Sequence, residues 1–172
     1  MDESLLRIAN IIEESIVDGP GIRFTVFTQG CLMECPGCQN PQTWDINGGE
    51  VVSISGLADR IRSNPLLDGV TLSGGEPFLQ TLACAQLAEK VKSFGLNVMA
   101  YSGYTFESLY DGGGDELELL KNLDILVDGP FIMEEKSLNL SFKGSRNQRT
   151  IDVPGTLLNF DRGDRTVKEI EL

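Results

Sequence analysis

The sequence predicts an α/β fold, built as a partial, open (β/α) barrel in one compact domain. Three observations carry this expectation. Short β-branched segments alternate with helical stretches, a pattern that implies parallel strands joined by crossovers. Loops rich in glycine or cysteine fall at the C-terminal ends of those strands, where α/β sites are built. The 172 residues supply only about four such units, too few to close an eight-stranded barrel.

Ile22 to Thr28 (IRFTVFT) is β-branched and aromatic and stops at Gly30, which suits a buried strand. A Cys-, Pro- and Gly-rich loop runs from there to about Gly49. Ile54 to Arg62 reads as a helix, with Ser53 or Ser55 as N-cap and Pro65 beyond its end. Gly69 to Leu72 is a short apolar strand that stops at Ser73-Gly74-Gly75-Glu76-Pro77. Leu79 to Phe94 is the clearest amphipathic helix, ended by Gly95 at C′. Leu96 to Tyr101 is the next strand, with Ser102-Gly103 as its exit. Phe106 to Tyr110 and Glu116 to Asn122 are short helical pieces around the Asp111-Gly112-Gly113-Gly114 break. Leu123 to Val127 is a buried strand ending at Asp128-Gly129-Pro130. Leu138 to Phe142, Thr150 to Val153 and Arg165 to Ile170 read as short strands between turns. There is no internal repeat and no interdomain linker.

Composition narrows the function. A hydrophobic share of 41% with 23% charged residues is ordinary for a globular domain. No apolar run approaches the roughly 18–20 residues that span a bilayer. The start, Met1-Asp2-Glu3-Ser4, carries no export signal, so the expected setting is cytoplasmic. A net charge of −12 argues against nucleic acid as a partner. Histidine is absent, which excludes His triads, His general bases and His-containing metal sites.

Three of the four cysteines stand together as Cys31-Leu-Met-Glu-Cys35-Pro-Gly-Cys38. In a cytoplasmic protein that density favours metal over disulfides. Structural zinc and electron-transfer [4Fe–4S] centres take four protein ligands. Three thiolates would leave one iron of a [4Fe–4S] cluster with an open position. Cys84, among Leu82, Ala83, Ala85 and Leu87 of the second helix, reads as a small buried hydrophobe rather than a fourth ligand.

CxxxCxxC after a first strand, followed by Gly74-Gly75-Glu76-Pro77, resembles the paired motifs of the radical S-adenosylmethionine enzymes. Val17-Asp18-Gly19-Pro20-Gly21-Ile22-Arg23, running into Gln29-Gly30-Cys31, is similar to the activases of glycyl-radical enzymes. Cys35-Pro36-Gly37-Cys38 with Asn40 and Thr43-Trp44 resembles the branch acting on anaerobic ribonucleotide reductase, as do Tyr101 to Phe106, Leu126 to Gly129 and Lys143 to Arg149. Gln39 stands where relatives carry an aromatic residue. The resemblance covers about residues 8–153, so the chain reads as one domain, 1–172, with that core and a C-terminal extension over about 154–172.

The resemblance implies reductive cleavage of S-adenosylmethionine at the cluster, and a radical that takes hydrogen from a glycine Cα of the partner. The protein supplies ligation, orientation and shielding. Cys31, Cys35 and Cys38 would hold three irons, and the methionine part of the cofactor would chelate the fourth. Gly74 and Gly75 would bring backbone to the methionine amino group. Gly37, Cys38 and Gln39 would lie against the adenosyl group. Two readings stand for Glu76: loop-shaping, which is preferred, and a hydrogen bond to the cofactor. Ser102 and Asp128, at successive strand ends, are candidates for ribose or methionine contacts, and a plain strand-end residue is the other reading for Ser102. Asn147, with Gln148 and Arg149, is a solvated turn or a docking cluster. Two readings stand for Trp44: packing under the cysteine loop, which is preferred, and contact with substrate. Met33 shields the cluster.

The implied partners are a glycyl-radical enzyme, foremost the anaerobic ribonucleoside-triphosphate reductase, and a flavodoxin or ferredoxin as reductant. The competing readings are a radical enzyme with another target (a second glycyl-radical enzyme, a peptide, or a small molecule such as a deazapurine precursor) and an iron–sulfur electron carrier.

Overall fold

The structure, a computed structural model, describes residues 3–172. One seven-stranded open sheet runs through it in the order β3-β1-β2-β4-β5-β6-β7. The strands are β1 (Leu5–Ser15), β2 (Arg23–Thr28), β3 (Glu50–Ser53), β4 (Gly69–Gly74), β5 (Asn97–Tyr101), β6 (Ile125–Asp128) and β7 (Arg149–Asp152). β2, β4, β5 and β6 are mutually parallel, so their C-terminal ends lie on one edge. β1 and β3 add an antiparallel margin on one side and β7 on the other. The parallel, open arrangement is the predicted one. The antiparallel β1 and β3 are additions to it.

The helices are α1 (Ile54–Ser63), α2 (Thr81–Ser93), α3 (Phe106–Gly112), α4 (Gly114–Lys121) and α5 (Val153–Asp161). Ser53 caps α1, its hydroxyl accepting from Gly56 N–H, and Gly95 takes positive φ beyond α2. α1, α2, α4 and α5 bury Leu57, Ile61, Leu87, Val91, Leu119 and Phe160 in one core with Phe24, Val26, Val70, Leu72 and Leu126 of the sheet. None of the described helices is long and apolar enough to cross a membrane.

The other side of the sheet is more polar. Arg23 is fully buried there and donates to Thr71 Oγ1 (2.7 Å), Asn97 Oδ1 (2.8 Å), Val70 O (2.9 Å) and Pro20 O (3.0 Å). Thr71 Oγ1 donates in turn to Asp18 O (2.8 Å). The Asp18-Gly19-Pro20-Gly21 segment is thereby strapped beneath the strands. A Cβ on Gly19 would lie 2.6 Å from Arg23 Cδ, so the strap passes close over the guanidinium only because the side chain is missing.

Two expected strands are absent. Residues 138–142 form turns, with Phe142 in the left-handed region (φ +56°), which a strand does not accommodate. Residues 165–170 make only an isolated bridge, Glu169 to Ile151, although Ile170 still packs on Met99, Ile125 and Val127. The extension, expected to carry a strand over 165–170, instead opens with a helix that was not expected, α5, capped by Asp152, whose side chain accepts from Gly155 N–H, with Pro154 in the first turn.

Candidate functional site

The C-terminal ends of β2, β4 and β5, with Gly129 after β6, border one cavity of about 950 Å³, in the size range of small-molecule sites. Cys31, Cys35 and Cys38 all line it. Their loop leaves β2 through Gly30 (φ +108°) and is closed at its base by Gly30 N–H to Thr43 O (2.7 Å) and Cys31 N–H to Trp44 O (3.3 Å). Gln29 Nε2 donates to Asp45 O (2.7 Å), which pins the returning limb. Inside the loop, Cys38 N–H donates to Cys35 O (3.0 Å) and Asn40 N–H to Cys38 Sγ (3.4 Å). Glu34 adopts φ +48°, uncommon for a residue with a Cβ, at the turn between the first two cysteines.

All three thiols are free and half-buried, and burial pushes the Cys31 thiol up. Among the described residues no three Cys, Asp or Glu side chains converge tightly enough for a single ion. A cluster asks less, because each thiolate binds a different iron and the sulfurs stand further apart. Cys84 is fully buried in α2, outside this wall, with its thiol pushed up to about 12 by burial and by the nearby Glu76. It packs as a core residue, as expected.

Gly74 and Gly75 line the cavity beside the cysteine loop. Gly74 has φ +92°, and a Cβ there would sit 2.6 Å from Phe27 Cα. A Cβ on Gly75 would sit 2.3 Å from Gly30 O. Glycine is therefore required first by the approach of this loop to the exit of β2. Gly75 N–H donates to Thr28 O and Glu76 N–H to Gly30 O, both at 2.8 Å.

Glu76 is 3% exposed, and both its oxygens are engaged by the protein. Oε1 accepts from Ser102 Oγ (2.9 Å) and Phe78 N–H (3.0 Å), and Oε2 from Gly103 N–H (2.8 Å). Burial lifts its pKa to about 7 against the lowering effect of those donors. Glu76 thus fastens the loop after β4 to the loop after β5, which matches the loop-shaping reading. Met33 rests on the same junction: its Sδ would lie 1.9 Å from a Cβ on Gly103.

Of the expected contacts, Cys38, Gln39, Gly74, Gly75, Glu76 and Ser102 line the cavity. Gly37, Asp128 and Asn147 lie outside its lining. Gly37 (φ +75°) is covered by Met133, whose Sδ would lie 2.5 Å from its Cβ. Asp128 turns away because Arg149 claims it, through Nε to Oδ1 (3.0 Å) and NH2 to Oδ2, while Oδ2 also accepts from Phe106 N–H. The same guanidinium bridges to Glu107 at 3.0 and 2.7 Å. Asn147 donates to Pro130 O (2.7 Å) and accepts from Ser145 Oγ. Gln148 does line the cavity, and its amide braces the wall, accepting from Gly144 N–H and donating to Gly129 O.

Sequence reasoning misses the rest of the wall, notably Tyr101, Phe131 and Phe142. An aromatic at a strand end reads as core. The available signal for Tyr101 was its place directly before the Ser102-Gly103 exit.

Residues 17–151 match the family model of the 4Fe-4S single cluster domain. The chain is 37% identical to the anaerobic ribonucleoside-triphosphate reductase-activating protein of Vibrio cholerae, over 77% of this chain and 89% of that protein. It is 35% identical to the pyruvate formate-lyase-activating enzyme of Listeria monocytogenes, over 84% of this chain and 61% of that one. Crystalline QueE from Escherichia coli overlaps with a TM-score of 0.47 at 18% identity, over 59% of this chain and 53% of that one, a likeness too remote to bear on the site.

Proposed function

We infer, because the chain belongs to the 4Fe-4S single cluster domain family and within it to the radical S-adenosylmethionine activases, that it installs a glycyl radical on anaerobic ribonucleoside-triphosphate reductase. The observation that carries the site is the shared cavity: three free thiols and a Gly-Gly-Glu-Pro loop border one space at the ends of parallel strands. The donor set fits an iron–sulfur cluster, and the space fits a nucleoside cofactor beside it.

Cys31, Cys35 and Cys38 would hold the [4Fe–4S] cluster, and binding would displace the protons of their thiols. When bound, the cluster supplies the electron that cleaves S-adenosylmethionine. The remaining work falls to the chain. The N–H groups of Gly75 and Glu76 are spent on the exit of β2, so this loop would meet a methionine ammonium with carbonyl oxygens, the polarity that an ammonium needs. Glu76, through Ser102 and Gly103, keeps that loop at a fixed distance from the end of β5. Gln39 and Ser102 line the same cavity and would be the contacts to the nucleoside part. Met33 and Phe131 line the cavity and would keep water off the reacting atoms. The chain makes no histidine base available, and hydrogen transfer of this kind asks for none.

The reductant fitting this scheme is a flavodoxin or ferredoxin. The test is anaerobic reconstitution, an iron count, and dithionite with S-adenosylmethionine. The expected products are 5′-deoxyadenosine and methionine, and a glycyl EPR doublet when the reductase is added. Iron bound without 5′-deoxyadenosine would refute the activase reading and leave an electron carrier. 5′-Deoxyadenosine without the doublet on a competent reductase would move the target to another acceptor.

A further inference from the structure

We propose that the unpaired edge of β1 over residues 9–14 receives an extended segment of the glycyl-radical partner as an added strand, which leads the acceptor glycine past Ile16 and Val17 into the cavity. This rests on the activase reading above and adds to it how the target is gripped. The starting observation is a mismatch in strand length. β1 has 11 residues and pairs with β2 from Ile8 to Ser15. On its other side the 4 residues of β3 reach only Leu5 to Ile8. Beyond Ile8 that side has no backbone partner among the described residues. Asn10, Ile12, Glu13 and Glu14 are exposed there, and Asn10 to Ile12 keep one unbroken register with β2. The middle of the free span is thus a regular strand edge.

Proteins usually cover or charge such an edge, because it invites pairing. The margin at β7 obeys this: Asp152 N–H donates to Lys168 O (2.9 Å) and Ile170 N–H to Thr150 O (2.8 Å), so the C-terminal segment closes it. The free span of β1 carries charge at one end only, on Glu13 and Glu14, and Glu13 is held by Arg60 of α1 (2.6 Å). Next to that end stand bare apolar side chains: Ile12 is 40% exposed, Ile16 73% and Val17 72%. All three line the cavity that the thiols line, so the open edge and the candidate site form one continuous surface.

The chemistry of the target selects the occupant. A glycine offers no side chain to hold, so it must be recognised through backbone and through its neighbours. Strand addition does both, with main-chain hydrogen bonds for affinity and pockets for alternate side chains. Apolar flanking residues suit Ile12, Ile16 and Val17. A basic one suits Glu14, whose carboxylate is exposed and accepts from Asn64 Nδ2 (2.9 Å). A second copy of this chain would instead bring another net charge of −12 to an edge that already ends in carboxylates.

The experiment uses the full chain, reconstituted anaerobically with S-adenosylmethionine. The probes are the anaerobic reductase and synthetic peptides of about ten residues that cover its acceptor glycine and both flanks. Hydrogen–deuterium exchange reads residues 9–14. Successive backbone groups of a strand alternate in direction, so about half of these amides should slow about tenfold or more on binding. N-methylation of the peptide backbone at alternate positions should abolish binding in one phase and spare it in the other, a pattern that a side-chain grip does not give. Glu14→Lys should slow association of the reductase about tenfold at low salt. Unchanged exchange over 9–14 in a complex that yields the glycyl EPR doublet overturns the proposal and leaves the activase reading standing. Protection that needs no partner and grows with chain concentration also overturns it, because the edge then belongs to a second copy. 5′-Deoxyadenosine without the doublet on a competent reductase fails the activase reading itself, and the proposal falls with it.

Discussion

Replacing Arg149 by Met isolates one ion pair whose two ends differ sharply in burial. Asp128 is 1% exposed and Arg149 25%, whereas Glu107, the other partner, is 35% exposed. Removing the guanidinium strands the Asp128 carboxylate, which keeps only the N–H of Phe106. Breaking a buried pair costs about 3–5 kcal/mol. The surviving donor argues for the lower end, about 3 kcal/mol. The exposed Glu107 arm adds at most about 1 kcal/mol. At roughly 2–4 °C per kcal/mol for a chain of this size, R149M should melt about 6–12 °C below wild type. The double variant D128N/R149M should recover at least half of that, because an amide oxygen still accepts from Phe106 N–H and needs no counter-charge. Calorimetry or urea unfolding reads both. A single variant within about 1 kcal/mol of wild type, or a double variant no better than the single one, would refute the reasoning.

Further outcomes follow from the same geometry. Cys31→Ser, Cys35→Ser and Cys38→Ser should each lose most of the iron on reconstitution, and Cys84→Ala should keep all of it; iron analysis decides. Gly75→Ala sets a Cβ against Gly30 O, so the loop must shift, with a cost of about 1–3 kcal/mol and weakened S-adenosylmethionine binding in calorimetric titration. Arg149 holds the Glu107 carboxyl below its ordinary 4.5. A folded-state pKa lowered in this way stabilises above 4.5, and the gain is lost as pH falls through the lowered value. Wild type should therefore lose stability on acidification faster than Glu107→Gln, by a fraction of a kcal/mol that shrinks in salt. Urea melts at several acidic pH values measure the difference. Deleting residues 167–172 removes the contacts of Lys168 O with Asp152 N–H and of Ile170 N–H with Thr150 O. The bared side of β7 should then lower the melting temperature and promote association, read by light scattering.

The parallel centre of the fold was legible because each of its strands is a short β-branched run ending in a glycine-rich exit. β1 was not. Leu6 and Ile8 alternate as a strand should, but register shifts after Ile8 and after Ile12 break the period where polar residues intervene. The alternation of Leu138, Leu140 and Phe142 gave a false strand, since these side chains line a cavity wall rather than one face of a sheet. α5 hid behind Pro154-Gly155, which resembles a turn but follows an Asp cap. In the site, the cysteines and the Gly-Gly-Glu-Pro loop announce themselves by spacing. The pairing of Asp128 with Arg149 was not legible, because a strand-end carboxylate turns toward whichever cation the tertiary fold delivers, and Arg149 comes from a strand that joins later. Trp44 illustrates the reverse: its ring was read as packing, and only coordinates reveal that its nitrogen lacks a partner.

The strand order has a consequence for how the sheet can be assembled during synthesis. β1 and β2 pair first; β3 then adds outside β1, and β4, β5, β6 and β7 each add in turn outside β2. Every strand attaches to a margin that already exists, and no interior position waits for a segment from the far end of the chain. Growth by accretion keeps loop-closure costs local and shortens the time that an incomplete sheet exposes a gap. The cysteine loop, lying between β2 and β3, emerges early. Its walls from β4, β5 and the segment after β6 arrive afterwards, so the thiols are on the ribosome before the cavity that shelters them exists.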